Sequence, residues 1–201
     1  MELKQLKRCA VNLLDTWMPD YHFSEHHSLS VSASEVALWN ALKTVTPDEI
    51  GPLRWLMAIR SFPAKVAGLA AGKVRKPGKL FARGTPILDL AVNSNFVLLE
   101  ERAPNQIALG MAGQFWKLDG GPRVNVHNAH DFAAFHQPGF LRVTVAFQIG
   151  AGKISTETRV QALDEDARRK FSRYWTLIRP GSGWIRMAWL RAIDNRARLR
   201  T

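Results

Sequence analysis

The chain reads as an α+β protein in which an antiparallel sheet packs against one long C-terminal helix. Three observations predict this. Ala167, Phe171, Tyr174, Trp175 and Ile178 recur at steps of three and four, and the stripe resumes after Pro180-Gly181-Ser182-Gly183 with Ile185, Ala188, Trp189, Ala192 and Ile193. That spacing is one face of an α-helix, or of two helices joined at Pro180. Residues 96–163 hold alternating apolar and polar segments joined by hairpin-length connections, which makes the strands antiparallel. The remaining helical segments precede this meander rather than interleaving with it, the arrangement of an α+β fold with helices on one side of the sheet.

Taken in order, residues 1–18 form an N-terminal arm with a helical pattern through Leu3, Leu6, Ala10, Leu13 and Leu14, ended by Pro19-Asp20. Tyr21 to Ala33 alternates and reads as a half-buried strand. Ser34 caps a helix through Leu38, Trp39, Leu42 and Val45. Thr46-Pro47 opens a second, because proline suits the first helical position. Residues 63–84 form a basic loop without periodicity. Thr85-Pro86 repeats the start signal, so Pro86 to Asn93 is a short helix.

Strands then run from Phe96 to Ala103 and from Gln106 to Leu118, with a short edge strand at Arg123 to His127. A helical turn covers Asp131 to His136. Phe140 to Ile149 and Lys153 to Leu163 are strands joined by the hairpin loop Gly150-Ala151-Gly152. In the terminal helix, Asp164, Glu165 and Asp166 occupy the first turn, where the helix dipole favours negative charge. Its outer face carries Arg168, Arg169, Arg173, Arg186, Arg191, Arg196 and Arg198.

The 201 residues form one domain, 1–201. A single cysteine, Cys9, excludes an internal disulfide. No apolar run reaches the roughly 18 residues of a membrane span, and the N-terminus has no secretory h-region, so a cytoplasmic location is expected. The net charge is +11, concentrated in two places. Gly51 to Leu88 holds eight basic residues and no acidic one, and Asp164 onward holds ten against four. Such fields attract anionic partners, a membrane surface or nucleic acid, and equally describe a solvated basic face.

Several stretches carry a family resemblance. They are Phe96-Val97-Leu98-Leu99-Glu100-Glu101, Gly110 to Trp116, Pro138-Gly139-Phe140, Thr156 to Val160, and Tyr174-Trp175 through Arg179-Pro180-Gly181-Ser182-Gly183 to Ile185-Arg186. With the order of elements, they resemble the START/Bet v1-like SRPBCC superfamily of polyketide cyclase/dehydrase and lipid-transport proteins, in particular an uncharacterised bacterial group. The resemblance implies a helix-grip fold, a curved antiparallel sheet wrapped around the C-terminal helix with a cavity between them. It implies binding of a hydrophobic small molecule such as a lipid, sterol or polyketide. It leaves open a cyclase, dehydratase or hydrolase acting in the same cavity.

The inward-facing residues expected to meet such a ligand are Leu109, Met111, Phe115, Val143, Val145, Phe147, Thr156, Thr158, Phe171, Tyr174 and Trp175. The same rings serve equally as plain core. Gly113, on that face, leaves room for a helix or ligand. Glu157 and Arg159 share a strand face, as a surface pair or, on the concave side, as a group that orients a polar head. His22 and His26 share one face of the first strand, about 13 Å apart, too far for one metal ion, while Glu25 and His27 share the other. No catalytic-triad order, phosphate loop or zinc spacing is present, so neither cofactor nor metal is expected.

Overall fold

A computed structural model of the chain describes residues 12–51, 84–93, 95–117, 121–122, 124 and 126–199. Most of the expected basic loop and the first part of the arm lie outside them. Helix α1 (Leu13–Trp17) begins where the Asn12 side chain accepts from the Leu14 N–H. Strand β1 (Phe23–Ser30) is shorter at both ends than its alternating stretch. Helix α2 (Glu35–Thr44) is capped by the Ser34 hydroxyl, which accepts from Ala37 N–H at 3.2 Å. Thr46 and Glu49 close a capping box on a 3₁₀ turn, Pro47–Glu49.

Helix α3 (Ile87–Val92) starts one residue later than expected, with Pro86 at its N-cap. Strands β2 (Val97–Arg102) and β3 (Gln106–Gly113) follow. The second of these was expected to reach Leu118, but it turns at Gln114, whose carbonyl accepts from Lys117 N–H. No strand forms at Val124, Val126 or His127, where an edge strand was expected. Helix α4 (Ala129–Ala134) is capped by Asn128. Strands β4 (Leu141–Gly150) and β5 (Lys153–Ala162) meet in a two-residue turn. Both turn residues, Ala151 and Gly152, have positive φ, the geometry that matches strand twist. Helix α5 (Glu165–Arg198) is continuous through Pro180.

The five strands form one antiparallel sheet in the order β1-β5-β4-β3-β2. The first strand pairs with the last, and β1 and β2 are the two edges. Helices cover both faces, not the single side expected from sequence. On the inner face, α2, α3 and α5 bury Leu109, Val145, Phe147, Ile149 and Ile154. Further along that face, Phe171 of α5 packs on Phe23, with ring centroids 5.1 Å apart, and on Leu141 and Val160. On the back face, α1 and α4 bury Val97, Leu99, Ala108, Ala112 and Ala146. Gly110 lets Phe132 of α4 sit against the sheet, because a Cβ there would lie 2.9 Å from both the Phe132 ring and Leu99.

Helix α1 is too short to hold itself, and Arg159 fastens it. The buried guanidinium pairs with Asp15 at 2.7 Å and Glu157 at 2.6 Å, donates to the Met18 carbonyl at 3.1 Å, and stacks over Tyr21. Asn12 donates to Glu157 at 2.7 Å. Burial works to lower the Arg159 pKa, but the hydrogen bonds and charges of Glu157 and Asp15 outweigh it and raise it. The Glu157–Arg159 pair therefore lies on the back face beneath α1, not on the side that faces α5.

Replacing Arg159 by Ala leaves Glu157 without its main partner. This is expected to lower the unfolding free energy by about 3 kcal/mol in urea titrations. Asp15→Asn, at the exposed end of the cluster, is expected to cost under about 1 kcal/mol.

Asp164 caps α5, accepting from Ala167 N–H at 2.7 Å and from Gly139 N–H. Those backbone hydrogen bonds hold its pKa below the ordinary 3.8. A depressed folded pKa gives stability that is complete above 3.8 and lost as pH falls through the lower folded value. Acid titration of the unfolding free energy is expected to show this loss, and Asp164→Asn is expected to flatten it.

Candidate functional site

The middle of α5 is its weakest stretch by sequence. Pro180 has no N–H to give the carbonyl four residues back, at a cost of about 3 kcal/mol relative to Ala, and each nearby glycine costs about 1 kcal/mol. The helix persists because both ends are packed, by Phe171 at one and by Leu190, Ala192 and Ile193 at the other. Gly183 also has a positive use. A Cβ there would lie 3.0 Å from Glu25 Oε1 and 3.1 Å from His27 Cε1, so its absence lets the helix rest on β1.

A polar seam lies under this glycine. Glu25 and His27 project from the inner face of β1, opposite Thr158 and Thr156 of β5. Glu25 Oε1 and His27 Nε2 are 3.0 Å apart. Arg186 reaches in from α5 and donates to the Thr156 hydroxyl at 3.1 Å. Burial lowers the Arg186 pKa to about 10, and the charge of Glu25 works against that shift. The second carboxylate oxygen of Glu25 is buried with no hydrogen-bond partner among the described residues.

Arg186 was expected on the outer face of the helix. The structure corrects this, because it is the cation that offsets a buried carboxylate. Arg196 also turns inward, donating to Thr44 at 3.0 Å and Glu49 at 2.7 Å, and so ties α5 to α2 and the 3₁₀ turn. Burial tends to raise the Glu49 pKa, but the hydrogen bonds from Arg196 and Thr46 and the Arg196 charge lower it overall.

Beside the seam a cleft of about 590 Å³ opens between β1 and α5. Its strand wall is Ser24, Glu25, His26 and His27; its helix wall is Arg179, Pro180, Gly183, Trp184, Met187 and Arg191. Trp184 is 51% exposed at this cleft. Arg168, Arg169 and Arg198 are each paired with a carboxylate of the same helix, whereas Arg173, Arg179 and Arg191 have no ion-pair partner among the described residues.

The residues expected to meet a ligand lie outside the lining of this cleft. Leu109, Val145 and Phe147 are buried core, and Phe147 packs edge-on against Trp189 at 4.7 Å. Phe171 is buried near the start of α5, with Tyr174 and Trp175 half-buried around it at 5.8 and 5.6 Å. Phe115 and Val143 pack on that same cluster, and Met111 is half-buried on β3. Thr156 and Thr158 stand behind the cleft wall, paired with His27 and Glu25. None of these eleven lines the cleft itself.

The residues that do line it were partly visible in sequence, since Glu25 and His27 alternate onto one strand face. Trp184 and Met187 fall outside the counted stripe. His22 accepts from Ala162 N–H, and among the described residues no group of three or more potential ligands is placed to hold a metal ion. No helix among them is long and apolar enough to cross a membrane. Comparison with protein-family models, with curated proteins and with solved structures finds no match.

Gly183→Ala is expected to forfeit the gain of about 1 kcal/mol that the exchange normally brings inside a helix. Calorimetry should show no rise in Tm, because the new methyl meets Glu25 and His27. Arg186→Met is expected to cost about 1–3 kcal/mol by leaving Glu25 and Thr156 unsatisfied. Part of that loss should return in the double variant Glu25→Gln/Arg186→Met, measured as a coupling in a double-mutant cycle.

Proposed function

We propose that the protein binds a small apolar molecule in the cleft between β1 and α5, as helix-grip proteins of the START/Bet v1-like type do. The cleft itself supports this reading. Its volume of about 590 Å³ suits one small organic ligand. Its helix wall offers Pro180, Trp184 and Met187 beside a few polar groups, the usual mixture of apolar surface and orienting contacts. A large ring left half open at such a place is surface that a ligand can remove from water. The helix-grip likeness is supported by the order of elements and by the terminal helix lying over the inner face of an antiparallel sheet.

The neutral fluorophore N-phenyl-1-naphthylamine is expected to bind saturably at one site. Trp184→Ala and Met187→Ser should each weaken it about tenfold, the effect of roughly 1.5 kcal/mol of lost apolar contact. Leu177→Ser, exposed on the same helix, should leave affinity unchanged. Equal losses from all three variants would mean unspecific adhesion.

A second reading, acid–base chemistry on the bound molecule, is favoured by one observation. A carboxylate 3.0 Å from an imidazole nitrogen fixes the ring, so that the other nitrogen is available to take a proton. Turnover of a p-nitrophenyl alkyl ester that His27→Ala abolishes, with fluorophore affinity retained, supports this reading. A rate untouched by that variant rejects it.

A further inference from the structure

The strand wall of the cleft is an edge. Among the described residues, β1 pairs with β5 on one side only. The Val31 N–H donates to the Gly152 carbonyl at 2.9 Å, one step beyond the Ser30–Lys153 pair. Hydrogen-bonded pairs alternate along an antiparallel ladder, so Leu29, His27, Glu25 and Phe23 are the residues that exchange hydrogen bonds with β5. Ser24, His26 and Ser28 therefore turn their N–H and C=O groups outward. None of the three makes another backbone hydrogen bond among the described residues. Ser24 and His26 line the cleft although their side chains project from the opposite face to Glu25 and His27. Their outward-turned main-chain groups therefore lie at this edge of the cleft.

Across the cleft, α5 offers charge at two ends and an apolar strip between. Arg179 and Arg191 lie about 18 Å apart along the helix axis. The strip is Pro180, Trp184 and Met187. The one carboxylate in the wall, Glu25, already faces His27 and the charge of Arg186. The cleft thus combines an apolar strip with main-chain donors and acceptors and guanidinium groups that have no partner among the described residues.

Resting on the small-molecule reading above, we propose that the ligand is an amide-linked acid: an apolar acyl chain joined through a secondary amide to a carboxylate, as in an N-acyl amino acid. The amide adds to the free edge of β1 as a single residue of strand would, pairing with the main chain at Ser24 and His26. The acyl chain lies on Trp184 and Met187. The carboxylate meets Arg179 or Arg191, which recognise it by charge-assisted hydrogen bonds. A plain alcohol would use only the strip, and a plain fatty acid would leave the strand edge unpaired.

Titration calorimetry of the full chain with N-decanoylglycine, its methyl ester and N-decanoylsarcosine tests this. The glycine conjugate is expected to bind tightest. The sarcosine conjugate, which has no amide N–H, should bind about fivefold more weakly, and the uncharged ester about 10- to 100-fold more weakly. Arg179→Gln or Arg191→Gln should close the gap between acid and ester and leave the sarcosine gap in place. Absence of either preference overturns the amide-acid assignment while the small-molecule reading stands. If none of the three conjugates binds and N-phenyl-1-naphthylamine does not either, both fall.

Discussion

The structure depends on one constraint: a single long helix must lie along the inner face of the sheet beside α2 and α3, and that helix is strong only at its ends. Phe171 anchors one end in a cluster with Phe23, Leu141 and Val160. Leu190, Ala192 and Ile193 anchor the other against α2 and the centre of the sheet. Between them lies Pro180-Gly181-Ser182-Gly183, a run whose intrinsic helix cost is several kcal/mol by rough addition of residue propensities. Tertiary packing, not local preference, keeps this stretch helical. The stretch that gains least from local preference is also where polar groups meet, because Gly183 brings the backbone onto Glu25 and His27.

The two faces of the sheet are held by different means. The inner face relies on apolar burial, interrupted by the Glu25–His27–Arg186–Thr156 seam. The back face carries short helices that cannot bury much each. There a buried guanidinium is satisfied by two carboxylates and a carbonyl, and it fixes α1 in one position. Removing one member of such a cluster costs more than the cluster contributes by existing, because the charges left behind are uncompensated. The clamp holds α1 on the back face, and the cleft lies at the β1 edge.

Much of this architecture is legible in the residues. The alternation of residues 140–149 and 153–163 matches β4 and β5 closely, and the Ser34 cap stands where the chain suggests, while Asp164, expected inside the first turn, is itself the cap. Strand pairing between the two ends of the chain is not legible, since periodicity says which face a residue takes but not which strand lies beside it. Arg186 misled because charge defaults to solvent, and only the position of Glu25 across the interface reverses that default. The expected ligand residues are inward-facing, but there most of them pack into the core between sheet and helix. The cleft seen among the described residues lies at the β1 edge, which no single-strand pattern reveals. The pairing of Glu25 with His27, by contrast, was already implied by their shared strand face.

The functional account comes down to the β1 edge and the facing stretch of α5 acting as one binding surface. Amide chemical-shift mapping during titration with N-phenyl-1-naphthylamine tests this most directly. The account predicts that the largest shifts fall on residues 24–28 and 179–191. Shifts centred instead on Leu109, Val145 and Phe147, or spread evenly over the molecule, would contradict it.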